Sequence, residues 1–316
     1  MDTRPASGLG SRRSRPSDPK AIVSRISKVL LSLSLLAALG FLVACSEKSD
    51  DTGSDTDSTV ALSDCTPDTL ETAKDGKLTI ATDDPAFPPY FEDNDPSNGK
   101  GFESAVGYAI ADQLGFTEDQ VEWTVEPFNS SYAPGPKDFD FDLNQISITP
   151  KRAQNVDFSS PYYTADQAVV ALPGTLPDDL TTAGDLADAT IGVQIGTTSL
   201  DAVNAVIQPN EEPRTFETSN DVVTALEQGQ VDAIVVDTPT ALYLTAVQVP
   251  KGEIVGEFSA PEEDGENTDQ WGALLQKDSP LTDCVSAAVD ELKNSGELEK
   301  IQQQWINGSG GVPKLD

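Results

Sequence analysis

The chain has no histidine, three cysteines, 20 Lys+Arg and 53 Asp+Glu. Without histidine, the Ser-His-Asp and Cys-His nucleophilic machines and the HExxH zinc sites are excluded. The usual side-chain switch near neutral pH is excluded as well. Three cysteines are too few for a four-cysteine zinc site, so neither a metal nor a cofactor is expected. A formal net charge of -33 repels phosphate backbones and argues against nucleic acid as a partner. Carboxylate and lysine chemistry remain open.

Three short stretches suit recognition better than bond-breaking. Gly196-Thr197-Thr198 precedes a helix expected to start near Ser199. Its free N–H groups and dipole suit an anion, and the same hydroxyls serve equally well as plain N-caps. Asp237 ends an apolar run, Val231–Val236, two residues before Pro239. It either presents a carboxylate to a cation or supports the helix that Pro239 starts. Asp83 and Asp84 either meet a cationic group or lie in solvent.

The elements around these stretches begin with an address. Seven basic residues lead into the apolar run from Val29 to Ala44. That run is too short and too interrupted for a comfortable membrane span and fits a secretory signal peptide, residues 1–44. Leu42-Val43-Ala44-Cys45 looks like a bacterial lipobox, with Cys45 lipidated after cleavage. An acidic, polar tether of residues 45–64 follows, with too little apolar surface to fold. Removal of the leader leaves 13 basic against 51 acidic residues, with Arg152 and Arg214 the only arginines. Cys65 and Cys284 then form an even pair in an exported chain. They are either one disulfide or two buried thiols.

From Lys77 onward the pattern alternates. Leu78–Thr82, Val121–Val125, Phe139–Leu143, Gln167–Leu172, Thr190–Ile195, Val231–Val236, Ile254–Phe258 and Gly272–Leu275 read as strands. Helical spacing covers 102–114, 199–207, 221–228, 239–244, 279–295 and 297–306, while Ser130–Lys137 reads as a loop. This is an α/β chain with largely parallel pairing expected, and a ligand is expected in a cleft between two lobes.

Ser147-Ile148-Thr149-Pro150-Lys151-Arg152-Ala153, followed by Val156-Asp157-Phe158-Ser159-Ser160-Pro161-Tyr162-Tyr163, resembles the signature of family 3 extracellular solute-binding proteins, which capture amino acids for ABC importers. Thr82–Phe91, Gly101-Phe102-Glu103, Gly192–Ser199, Asp232–Asp237 and Leu298–Trp305 are similar to further elements of that family, in the same order. The resemblance implies a two-lobed periplasmic-binding-protein type II fold with two crossing hinge strands. Lobe one would hold residues 65–167 and 268–316 and lobe two 172–263, with the hinge near 166–171 and 261–271. A Cys65–Cys284 bridge would lie inside lobe one.

The same resemblance implies the ligand set. Arg152, Thr197 and Thr198 would hold a carboxylate, and Asp237 an ammonium group. A planar guanidinium grips a carboxylate through two bonds, which lysine cannot do. Ser147, Gln145, Phe87, Asp84, Tyr90 and Phe128 would complete the pocket. Gln145-Ile146 stands where the family has a small residue and a methionine, and Phe128–Lys137 departs from a segment that is usually helical. The implied function is a monomeric, lipid-anchored extracytoplasmic receptor handing an amino acid to an ABC permease. Two other readings are a prephenate-type dehydratase of the same fold and a ligand-sensing partner of a membrane receptor. Glu103 and Lys151 lie near the right segments for the dehydratase, but nothing in their spacing demands catalysis, so no enzyme is expected.

Overall fold

The computed structural model describes residues 60–263, 266–267, 269–306 and 311–315. The expected leader, the lipidation site Cys45 and residues 45–59 of the tether lie outside them. Among the described residues no helix is long and apolar enough to cross a membrane. The last part of the expected tether packs: Val60 and Leu62 lie against the first hydrophobic core.

Two five-stranded sheets carry the fold. The first contains β1 (Leu78–Thr82), β2 (Val121–Val125), β3 (Phe141–Asp142), β4 (Val156–Thr164) and β12 (Gln270–Gln276), in the order β2-β1-β3-β12-β4. The second contains β5 (Gln167–Ala171), β6 (Ile191–Gln194), β7 (Arg214–Phe216), β8 (Ala233–Asp237) and β9 (Glu253–Phe258), in the order β7-β6-β8-β5-β9. A short hairpin, β10 (Glu262–Glu263) and β11 (Glu266–Asn267), lies between β9 and β12. The helices are α1 (Phe102–Gln113), α2 (Phe128–Ser131), α3 (Thr198–Ala202), α4 (Ser219–Glu227), α5 (Thr238–Tyr243), α6 (Thr282–Asn294) and α7 (Glu297–Trp305). Wider turns at Val203–Ile207 and Leu244–Gln248 extend α3 and α5.

Pairing is mixed, which corrects the expectation of largely parallel sheets. β1 pairs in parallel with β2 and β3, but β12 runs against β3 and β4. β6 pairs in parallel with β7 and β8, but β5 runs against β8 and β9. β5 and β12 enter directly from the other sheet, without the crossover helix that parallel pairing requires. Each therefore starts where its neighbours end: Gln167 sits opposite Asp237, and Gln270 opposite Thr164.

The first crossing is also shorter than the hinge strand expected. Residues 167–171 are the interior of the second sheet, and Ala165 and Asp166 alone link β4 to β5. The return runs through 259–269, and the two crossings touch where Ala165 N donates to Asp269 O at 2.9 Å. The C-terminal residues differ too. Expected in lobe one, Leu315 is buried in the core of the second sheet.

Strand alternation builds that second core on both faces of its sheet. Val169 and Ala171 of β5, with Ala233 and Val235 of β8, face one cluster, while Ala168, Val170 and Ile234 face the other. In the first lobe, Leu78 and Ile80 meet Phe102, Val106 and Ile110 of α1 and Val285, Ala288 and Val289 of α6. Gly101 starts α1 at φ 101°, where a Cβ would lie 2.3 Å from the Tyr90 carbonyl oxygen, so only glycine fits that approach. β3 is shorter than expected because Asp140 turns its carboxylate to the N–H groups of Thr79 and Ala73, both at 2.6 Å.

Cys65 and Cys284 are bridged across 219 residues and fasten the start of the folded region to α6. In the first turn of α1, Glu103 is fully buried. It accepts hydrogen bonds from Tyr162 Oη, from Gln145 Nε2, and from Gln145 N at 2.7 Å. Burial outweighs these donors and raises its pKa from 4.5 to about 7.

Two outcomes follow. Reducing the bridge, or replacing Cys65 by serine, should lower the unfolding free energy by about 2–5 kcal/mol in urea titrations; equal stability with and without reductant would rule the bridge out. Glu103 holds its proton more tightly when folded than when unfolded. Its contribution is therefore full below about pH 4.5 and is lost as pH rises through about 7, on the order of 3 kcal/mol in total. Urea titrations across this window should show a smaller loss of stability in Glu103→Gln than in the wild type.

Candidate ligand-binding site

A cavity of about 170 Å³ lies between the sheets, lined by residues of both lobes. Arg152 enters it from the turn that precedes β4 and is 6% exposed. Its Nη1 donates to the Ser147 carbonyl at 2.7 Å, and its Nη2 crosses the cleft to the Gly196 carbonyl at 2.9 Å. The guanidinium carbon lies 5.4 Å from the centre of the Phe128 ring and 4.9 Å from that of Tyr132.

The rings are placed by α2, a single turn that overlaps only the first two residues of the expected loop, Ser130–Lys137. Four residues apart, Phe128 and Tyr132 fall on one helical face and lie edge to face at 5.6 Å. Gly196 completes the approach. At φ 79°, a Cβ there would lie 2.6 Å from Tyr132 Oη and 2.9 Å from Asn129 Oδ1. Burial lowers the Arg152 pKa, opposed by surrounding negative groups.

Thr197 is an N-cap in fact: its hydroxyl accepts from Leu200 N at 3.3 Å and donates to Gln194 O at 2.8 Å. Thr198 Oγ1 reaches Ser147 Oγ at 3.1 Å and Asp269 Oδ1 at 3.2 Å. Both threonines line the cavity, as do Ser147, Gln145, Phe87, Asp84, Phe128 and Asp237. Tyr90 does not line it. Its ring is 2% exposed and packs edge-on to Trp271 at 5.6 Å, while its hydroxyl shares a 2.8 Å hydrogen bond with Thr240. A large aromatic after two prolines reads equally as wall or core; here it packs on Trp271 and also borders a smaller cavity of about 40 Å³ beside Phe87, Gln145 and Thr240.

Asp237 ends β8, and its Oδ1 accepts from Gln167 Nε2 at 2.6 Å. The same Nε2 donates to Asp269 Oδ2, and Asp269 Oδ1 accepts from Ser147 Oγ at 2.7 Å. Desolvation first, then the neighbouring Asp269, hold the Asp237 carboxyl well above the ordinary range. Burial likewise raises Asp269. Gln167 and Asp269 were missed from sequence. Gln167 looked like the edge of a buried strand, and Asp269 follows an acid-rich stretch in which one more acid carries no signal.

Toward the far end, Asp83 accepts from Asp84 N at 2.8 Å and Phe128 N at 3.4 Å. Burial raises its pKa. Thr82 Oγ1 and Asn144 Nδ2 also belong to the lining, are buried, and have no hydrogen-bond partner in the protein. One guanidinium thus faces three carboxylates, those of Asp83, Asp84 and Asp237.

Residues 78–308 match the bacterial extracellular solute-binding proteins, family 3. The arginine-binding extracellular protein ArtP of Bacillus subtilis is 29% identical over 69% of this chain and 82% of its own length. The L-cystine-binding protein TcyJ of Escherichia coli is 27% identical over 70% of this chain and 79% of its own. Among solved structures, an ancestral arginine-binding protein bound to arginine superposes with a TM-score of 0.60 at 31% identity, covering 73% of this chain and 99% of that one. These relatives are binding proteins, and this chain too is a binding protein and not an enzyme. With a type II two-lobed fold, a charged cleft between its sheets and a match over most of its length, the chain belongs to the family 3 bacterial extracellular solute-binding proteins.

Proposed function

We propose that the protein captures an amino acid with a cationic side chain between its lobes and hands it to the permease of an ABC importer. The carrying observation is the opposition of Arg152 to Asp237 and the Asp83–Asp84 pair within one cavity. Arg152 takes the ligand carboxylate, with Thr198, Thr197 and the first N–H groups of α3 beside it. Asp237 takes the ammonium group, with Ser147 at its side. The side chain runs past Phe87, Phe128 and Gln145 toward Asp84, where Thr82 and Asn144 offer unused hydrogen-bonding atoms.

A closed cleft excludes water, so each charged ligand group needs a partner inside it. Ligand cations arriving beside Asp237 and Asp83 replace the solvation that burial removes. The protein works as a monomer outside the cytoplasm, held to the membrane by lipid on Cys45. The lipobox, the polar tether and the extracellular or periplasmic relatives support that placement.

A thermal-shift screen of the refolded domain against the twenty amino acids and their des-amino analogues tests the ligand class. L-Arginine or L-lysine should stabilise it most; at a hundredfold excess over Kd, linkage gives about 2.7 kcal/mol. Stabilisation by des-amino acids alone would discard the role of Asp237. Arg152→Ala should weaken binding by roughly 2–5 kcal/mol, read by calorimetric titration. Wild-type affinity in a folded Arg152→Ala protein would remove Arg152 from the site.

A further inference from the structure

The last described residues, 311–315, pack on the second lobe. Ile306, just past α7, lies in the core of the first lobe. By Pro313 the chain has joined the edge of the second sheet. Glu257 N of β9 donates to Pro313 O at 2.8 Å, and Leu315 N donates to Glu257 O at 2.9 Å, with Lys314 paired in parallel to Glu257. Leu315 is 5% exposed, packed with the core that contains Val169, Val235 and Phe258. Gly256 leaves the space for it: a Cβ there would lie 2.6 Å from Leu315 Cγ.

Lys314 adds charge to this seat. Its Nζ lies 2.8 Å from Asp166 Oδ2 and 2.9 Å from Glu257 Oε1. Both acids grip the residue next to Asp237. Glu257 is 4% exposed, and its other oxygen accepts from Thr238 Oγ1 at 2.9 Å. The Asp166 carbonyl accepts from Thr238 N at 2.9 Å and lies 3.1 Å from Thr238 Oγ1, as an alternative acceptor for that hydroxyl. Two paths therefore run from Lys314 to the corner between β8 and α5. One passes through a buried carboxylate and the other through the crossing residue Asp166. A buried Glu257 beside Asp166 needs a cation in that position.

We propose that Lys314 and its short strand are a positioning element of the binding site, holding the β8–α5 corner from which Asp237 reaches the cavity. Lys314 acts through Glu257, Asp166 and Thr238 and does not touch the cavity. The effect on affinity rests on the reading of Asp237 as the ammonium partner; the effect on the corner does not.

The test uses the full chain as wild type, Lys314→Ala and Lys314→Arg. Two quantities are measured: amide hydrogen exchange across residues 237–243 and L-arginine affinity by calorimetric titration. Lys314→Ala should exchange about tenfold faster at the corner, with α6 unchanged, and should bind L-arginine about tenfold more weakly. Lys314→Arg should restore both. Exchange at the corner equal to wild type in Lys314→Ala would overturn the proposal. So would faster exchange there with wild-type L-arginine affinity. If the wild type takes no L-arginine, the ligand class proposed above fails, while the exchange data still decide whether Lys314 holds the corner.

Discussion

Asp237 and Asp269 converge on a single amide nitrogen, Nε2 of Gln167, at the point where the chain passes between lobes. Two carboxylates this close and this dry repel each other, and both are shifted toward the protonated form. Much of the cleft answers that crowding. Ser147 from the first lobe and Thr198 from the second donate hydroxyls to Asp269, Arg152 supplies positive charge, and the crossings are drawn together at Ala165 and Asp269. A ligand bearing an ammonium group would relieve the crowding from the cavity side, so the same contacts that knit the lobes also favour the cation.

The geometry of the crossings accounts for the architecture. Each sheet accepts one strand directly from the other lobe, and each such strand starts at the cleft and runs away from it. This reverses its pairing and brings Gln167, Asp237, Asp269 and Gln270 to one level. Arg152 belongs to the same level because the turn before β4 faces α3 across the gap. Its bond reaches the Gly196 carbonyl, at a residue whose φ of 79° suits glycine and whose Cβ would crowd Tyr132 and Asn129.

Much of this was legible in the residues. Alternation marked β2, while β-rich or apolar runs marked β1, β5 and β8. Helical spacing marked α1, and Pro239 the start of α5. Arg152, Ser147 and Asp237 stood out through an ordered set of motifs. What escaped was set by partners distant in sequence. β3 shrinks because Asp140 serves the backbone of β1. α2 adds a single turn, Phe128–Ser131, just ahead of the Pro- and Gly-rich loop, and sets Phe128 and Tyr132 against Arg152. Tyr90 turns inward because Trp271, 181 residues later, lies beside it. Gln167 and Asp269 gain meaning only when two crossings meet, and no local pattern announces that meeting.

The position of β12 has a consequence for how the chain assembles. It lies between β3 and β4 in the first sheet, although almost all of the second lobe separates it from both in sequence. A chain that emerges N-terminus first therefore has β1, β2 and β3 available as one fragment and β4 as another, with nothing between them to complete the sheet. The second lobe is contiguous from β5 to β9 and can collect its own strands in the meantime. On such a chain the lobe begun first cannot be completed until residues 270–276 are available as its inner strand and Cys284 can reach Cys65.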